Sequence, residues 1–327
     1  MLRIHFTSED LARTRVASAP DPLWELALST HVLRVRGAAP MHTAWKNQVA
    51  SHLHPGGRLR EQVALLLAVN PPVGYFPDFL TPADSGAGFE AGLDAVLSTP
   101  QHRLRAEIGQ LAVGQGGALP TVVGDLVSGS RAALAELGEA MTRYHEVAIA
   151  PIWDRIRASF DADRALRART VLDNGMAALL DALHPSVRFQ ENRLEIFDYP
   201  ADRDLYLRGR GLLLVPSYFK FWSKPMALVD PELPPVLVYP VDRKVLATGG
   251  NGHAHLVALL GRTRAAVLEL AAAGTTTGEL SRRLSVSAAA ASQHIGVLRE
   301  SGLVLSSRNG NTVHHTLTPL GAAMLAG

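Results

Sequence analysis

The chain has 327 residues, 47% hydrophobic and 19% charged. At about 150 residues per domain this allows two domains, and it is too apolar for a mainly disordered chain. It holds no cysteine, which excludes disulfides, thiolate metal sites, iron–sulfur clusters and a cysteine nucleophile. The net charge of +2 hides an asymmetry: Met1–Gly252 carries 26 Lys and Arg against 27 Asp and Glu, whereas His253–Gly327 carries 6 Arg, no Lys and 3 Glu. A basic C-terminal quarter on a near-neutral body points toward nucleic acid.

Leu2, Ile4 and Phe6 alternate with Arg3 and His5, the period of an opening strand. Ser8 is placed to N-cap a short helix, and Asp21-Pro22 starts a stronger one carrying Leu23, Trp24, Leu26 and Ala27. Ala44–Leu53 and Leu59–Val69 read as further helices, the second ended by Pro71-Pro72. Tyr75–Pro82 is irregular because of Pro77 and Pro82. Phe89–Leu97 and Gln101–Ala112 read as helices, followed by a loop at Gly114, Gly116 and Gly117. From Arg131 to about Phe160, Leu134, Leu137, Met141, Tyr144 and Ala148 form an amphipathic stripe that Pro151 should kink or divide. Arg164–Leu183 is another helix, stopped at His184-Pro185.

The texture then changes. Leu194–Phe197, Leu205–Leu207, Leu212–Val215, Tyr218–Trp222 and Val236–Tyr239 are short apolar segments, read as strands of one small sheet closing the helical domain. Gly249-Gly250-Asn251-Gly252 is a candidate linker. The N-terminus lacks the apolar segment of a signal peptide. The longest apolar run, Val63–Val69, is far short of the ~18 residues of a membrane helix, so a soluble, cytoplasmic protein is expected.

The last seventy residues carry most of the information. Leu259–Ala273 reads as one amphipathic helix closed by Gly274. Thr276-Thr277-Gly278-Glu279 fits a capping box for a helix over Thr277–Leu284. Ser285-Val286-Ser287 makes a turn, and Ser287 caps a third helix, Ala288–Ser301, with Ala291, Ile295 and Leu298 inward and Gly302 as its stop. Asn309-Gly310 between two strand-like runs signals a hairpin. Thr318-Pro319 opens a final helix. Helix, helix, turn, helix, hairpin, helix is the order of a winged helix-turn-helix. The expected fold is therefore mainly α with minor β (α+β). A helical N-terminal domain with a small sheet spans 1–250, and the C-terminal winged helix-turn-helix spans 253–327.

Leu280-Ser281-Arg282-Arg283-Leu284-Ser285-Val286-Ser287 and Ser292-Gln293-His294-Ile295-Gly296-Val297-Leu298-Arg299-Glu300-Ser301-Gly302-Leu303-Val304 resemble the core of ArsR-type (ArsR/SmtB) repressors. Leu259–Arg264, Arg308-x-Gly310 and Thr318-Pro319-x-Gly321 fit the same pattern. The N-terminal part resembles the uncharacterised domain fused ahead of such a core in some actinobacterial regulators, which implies no known ligand. The resemblance implies a homodimeric, cytoplasmic, sequence-specific transcription regulator, a repressor, whose partner is double-stranded DNA. Two departures stand out. The family's metal sensors use cysteines before the recognition helix or acidic and His residues on the last helix, and neither set is present here. The recognition helix also opens on Ala288-Ala289-Ala290-Ala291, which offers no hydrogen bonds and leaves base readout to fewer residues.

On the recognition helix, Ala288, Ala289, Ser292, Gln293 and Gly296 should share the exposed face. Gln293 suits adenine N6/N7 and Ser287 and Ser292 suit phosphate oxygens. His294 fits a phosphate contact and a hydrogen bond to the scaffold equally well. In the wing, Arg308, Asn309, Asn311 and Thr312 are candidates for backbone phosphates or the minor groove; the plainer alternative is a polar hairpin tip. Arg282 and Arg283 are not assigned to DNA, and Arg262 and Arg264 fit ion pairs with the N-terminal domain as well as they fit DNA.

Neither His253-x-His255 nor His314-His315 has a carboxylate cluster at ligand spacing. Glu25, Glu61, Glu107 and Glu191 are too scattered to form a catalytic pair. No catalytic residue, metal or cofactor is assigned, and no enzymatic activity is expected. Tyr218, Phe219, Phe221 and Trp222 are sheet core or interface more often than the lining of an effector pocket. A small-molecule effector in the N-terminal domain fits the regulator reading. The competing reading is a small-molecule-binding protein or enzyme whose winged helix serves protein contacts; a metal-responsive switch is the third.

Overall fold

In the computed structural model the N-terminal alternation forms a strand, β1 (Leu2–His5), with Leu2 and Ile4 fully buried. The structure describes residues 1–35, 40–54, 56–114, 120, 123–200, 202–220, 225–228, 234–242, 252–272, 274–309 and 312–326. The chain divides into two units, Met1–Leu246 and Ala247–Gly327. The fold is mainly α with minor β.

In the first unit, β1 lies between β4 (Arg193–Ile196), antiparallel, and β5 (Arg203–Tyr206), parallel; β3 (Val187–Gln190) pairs with the far side of β4. A second sheet has the order β2-β6-β8-β7. Here β2 (Arg15–Val16), β6 (Leu213–Ser217) and β8 (Val236–Pro240) run parallel and β7 (Met226–Ala227) antiparallel. The single small sheet expected from sequence is thus two four-stranded sheets. β2, β3 and β7 were not expected, and the segments that were expected part company because β4 and β5 pair with β1 whereas β6 and β8 pair with each other, long-range choices that local pattern does not report. Leu2, Ile4, Leu194 and Ile196 of the first sheet share a core with Leu214, Leu237 and Tyr239 of the second. Tyr218–Lys220, expected within a strand, forms a turn after β6, and Phe221 and Trp222 lie outside the described residues.

α1 (Ser8–Arg13) is capped by Thr7, not Ser8. Thr7 Oγ1 accepts from the Asp10 N–H at 3.1 Å, and the Asp10 carboxylate accepts from the Thr7 N–H at 2.8 Å. Only Thr7 has an acid three positions on, so only Thr7 can close a reciprocal box. Asp21 starts α2 (Pro22–Arg34) by accepting from the N–H groups of Leu23 and Trp24 at 3.0 and 3.1 Å. α3 (Pro40–His52) follows. The run Leu59–Val69, expected as one helix, breaks at Val63 into α4 (Arg58–Gln62) and α5 (Ala64–Val69). α6 (Phe89–Leu97), α7 (Gln101–Gly114), α8 (Gly124–Val127) and α9 (Arg131–Tyr144) come next; Gly116 and Gly117 of the expected loop lie outside the described residues.

Pro151 divides the next stretch as expected. The helix widens to a π turn at His145–Ile149 and tightens to a 3-10 turn at Ala150–Ile152 before α10 (Trp153–Asp181). Proline has no N–H to continue the ladder. One turn before it, the Ala148 carbonyl accepts from Trp45 Nε1 at 2.6 Å. The separate helix expected over Arg164–Leu183 is part of α10, whose interruption falls at Gly175, φ 81°.

Leu26, Leu66, Phe79, Leu137, Met141 and Tyr144 belong to the helical core, which also takes in Tyr218 and Phe219. The Phe219 ring sits 4.5 Å from that of Trp45. Glu25 on α2 holds this turn by accepting from Tyr218 N–H at 2.8 Å, Phe219 N–H at 3.2 Å and Ser217 Oγ at 3.0 Å. Burial pushes its pKa up to about 7. Among the described residues no helix is long and apolar enough to cross a membrane.

The second unit runs α11 (Gly252–Leu260), α12 (Arg262–Ala271), β9 (Thr275–Thr276), α13 (Thr277–Leu284), α14 (Ala288–Glu300), β10 (Val304–Asn309), β11 (Thr312–Leu317) and α15 (Pro319–Ala326). The helix expected over Leu259–Ala273 is two helices, divided at Gly261, φ 80°. Residues 249–251 of the expected linker lie outside the described residues. Ala265, Leu268, Leu280, Ile295, Leu298 and Val304 form the core.

Candidate nucleic-acid interface

Local hydrogen bonds build the corner between α13 and α14. Thr276 Oγ1 accepts from the Glu279 N–H at 3.3 Å. The reciprocal half of the expected box is replaced, because the Glu279 carboxylate accepts from Thr275 Oγ1 at 3.5 Å and pairs with Arg283 at 2.9 Å. α13 ends on Ser285, which takes the left-handed conformation at φ 55°. Ser281 Oγ donates to the Val286 carbonyl at 2.7 Å and pins the turn. Ser287 Oγ then accepts from the Ala290 N–H at 3.1 Å and starts α14.

On α14, Ala291, Ile295 and Leu298 are buried. Ser287, Ala288, Ala289, Ser292 and Gln293 are exposed, and His294 and Gly296 are half-buried. A Cβ added at Gly296 would meet nothing within 4 Å. Packing inside the protein therefore does not impose a glycine there, although glycine weakens a helix interior by about 1 kcal/mol.

The wing is an antiparallel hairpin whose register runs from Val304↔Leu317 to Asn309↔Thr312. Arg308 and Thr312 are exposed beside its tip. Asn309 ends β10, and Asn311 lies outside the described residues. β9 adds a third strand through Thr275↔His315 and Thr276↔His314, which ties the wing to the start of α13.

Sequence reasoning missed His315. It is buried, its Nε2 lies 3.0 Å from Thr277 Oγ1, and its Nδ1 lies 2.8 Å from Ser306 Oγ. Burial, then the charges of His314 and Arg299, lowers its pKa below 6.5. His314 is exposed on the other face of β11. Counting back in twos from Leu317 places His315 inward, the signal that could have found it. Among the described residues no group of three His, Cys, Asp or Glu is placed to hold a metal ion.

Residues 259–306 match a family model described as a helix-turn-helix domain, and residues 84–245 match a family of unknown function (DUF5937). No curated protein matches the chain. Among solved structures the chain is similar to reduced HlyU from Vibrio cholerae at 29% identity, covering 25% of this chain and 87% of that one with a TM-score of 0.20. The helix-turn-helix match supports a DNA-binding transcription regulator.

Proposed function

We propose that the chain is an ArsR-type, homodimeric, sequence-specific repressor that reads the DNA major groove with α14 and grips the backbone or minor groove with the wing. The outer face of α14 carries this reading. It combines small side chains at Ala288 and Ala289, polar ones at Ser287, Ser292 and Gln293, and a glycine that the fold does not require. Such a face admits close approach by a partner. Gln293 hydrogen-bonds adenine N6/N7, Ala288 and Ala289 lie against thymine methyls, and Ser287 and Ser292 donate to phosphate. His294 flanks this face. Arg308, Asn309, Asn311 and Thr312 supply the wing contacts.

α11 and α15 pack on each other and carry no Asp, Glu, Lys or Arg, yet Leu259 and Leu320 are 70% and 60% exposed. Exposed apolar surface of this kind supports self-association. A dimer would read half-sites about one helical turn apart. The N-terminal unit senses a small-molecule effector.

A gel shift of the full chain on its own upstream DNA, titrated with salt, tests the reading. Sequence-preferring binding that weakens steeply with salt is expected, because phosphate contacts release counterions. Absence of binding, or binding indifferent to sequence, overturns it.

A further inference from the structure

The N-terminal unit contains a cavity of about 360 Å³ beside α2, β2, β6 and β8. Trp24, Leu213, Val215, Leu228 and Val236 give it apolar walls. Its volume lies within the range of pockets that enclose small organic molecules, about 300–1,000 Å³.

Its charged lining defines what would fill it. Thr81 also lines the cavity, but its hydroxyl is sealed within the wall and gives an occupant nothing to bond. Three arginines, Arg13, Arg15 and Arg210, line the cavity. Arg13 is engaged, pairing with Glu9 at 2.7 Å and donating to the Gly209 carbonyl at 2.7 Å. Arg210 donates to the Leu207 carbonyl at 3.0 Å. Arg15 is exposed and has no ion pair among the described residues. The carboxylate in the lining, Asp21, is committed to the fold: it caps α2 and accepts from Ser85 Oγ at 2.6 Å. An apolar chamber with an exposed arginine in its lining that makes no ion pair among the described residues matches a molecule with a hydrocarbon body and one negative charge.

We propose that this cavity is an effector site for a small, mainly apolar carboxylic acid, with its hydrocarbon against Trp24, Val215 and Val236 and its carboxylate at Arg15. β8 contributes a wall and is the last described strand before the chain continues to α11. The regulatory part of the proposal rests on the repressor reading, whereas binding itself does not.

The test is calorimetric titration of the full chain, without DNA, with octanoate and phenylacetate, and with octanol and octylamine as neutral and cationic controls. Saturable binding of at least one acid is expected, tighter than either control. Arg15→Glu, at an exposed position, should weaken it about tenfold or more. Unliganded melting curves establish that the variant folds. Failure of both acids to bind, binding unchanged in the folded variant, or octylamine binding as tightly as octanoate overturns the proposal. A gel shift with the binding acid then separates the two readings. Acid binding without any DNA binding removes the repressor alone, and DNA binding unaffected by a bound acid removes the effector role.

Discussion

One imidazole joins the wing to the helix-turn-helix: Ser306 Oγ on β10 lies 2.8 Å from His315 Nδ1, and Thr277 Oγ1 on α13 lies 3.0 Å from Nε2 of the same ring. A neutral ring satisfies both contacts, donating from one nitrogen and accepting at the other. Protonation puts a charge in a buried site. The folded pKa lies below the unfolded value of 6.5, so between the two values the unfolded chain binds more protons. The contribution of His315 is therefore present above pH 6.5 and lost as pH falls toward the folded pKa. Amide exchange protection in β10 and β11 of the full chain should decline below that pH. The decline should vanish in His315→Gln and persist in His314→Gln; a wild type whose wing protection is flat with pH would contradict it.

Gly296 separates stability from binding. Alanine there meets open space and removes the flexibility of a mid-helix glycine. Gly296→Ala should raise the stability of the C-terminal unit by about 0.5–1 kcal/mol in urea unfolding. The same methyl would hold the recognition helix away from DNA, so operator affinity should fall in the same preparation. A variant that gains stability and keeps full affinity removes the close-approach argument for α14.

The winged helix was legible because its signals are local. Thr276 and Ser287 cap the helices they precede, Gly302 stops one, and the two runs on either side of the Asn-Gly signal pair as a hairpin. The break at Gly261 escaped because the apolar stripe of α11 and α12 runs on past it. In the N-terminal unit, Leu2 pairs with Ile196 and Arg203, partners that no local window contains. Pro151 was legible as a breaker, but the π turn at His145–Ile149 was not. Thr81 lies far along the chain from Arg15 and Trp24, and only folding brings the three to one cavity.

Glu25 gives the N-terminal unit the opposite pH dependence. Burial outweighs the hydrogen bonds from Tyr218, Phe219 and Ser217 and lifts its pKa from 4.5 to about 7. The folded state therefore binds more protons across this window. The contribution is greatest below pH 4.5 and is lost as pH rises through about 7. His31 and His42, both lowered to about 4, favour the folded state as pH rises toward 6.5, so the whole-chain melting curve mixes the two effects. The difference between wild type and Glu25→Gln isolates the carboxylate. It should shrink steadily between pH 5 and pH 8 in thermal unfolding, and a constant difference would show that Glu25 does not titrate there.

The recognition helix and the wing should differ in kind. On the proposed reading Gln293→Ala should lose about 1–3 kcal/mol of discrimination at one base pair and leave the salt dependence unchanged, since the amide is assigned to a base edge. Arg308→Ala should weaken all sequences alike and reduce the slope of log affinity against log salt by about one, since the proposal assigns its charge to a phosphate. Binding selections on randomised DNA with both variants, repeated at two salt concentrations, measure both quantities. If Arg308→Ala changes sequence preference while Gln293→Ala changes only the salt slope, the wing is the reader and α14 the clamp. If neither changes either quantity, DNA is not bound through this face.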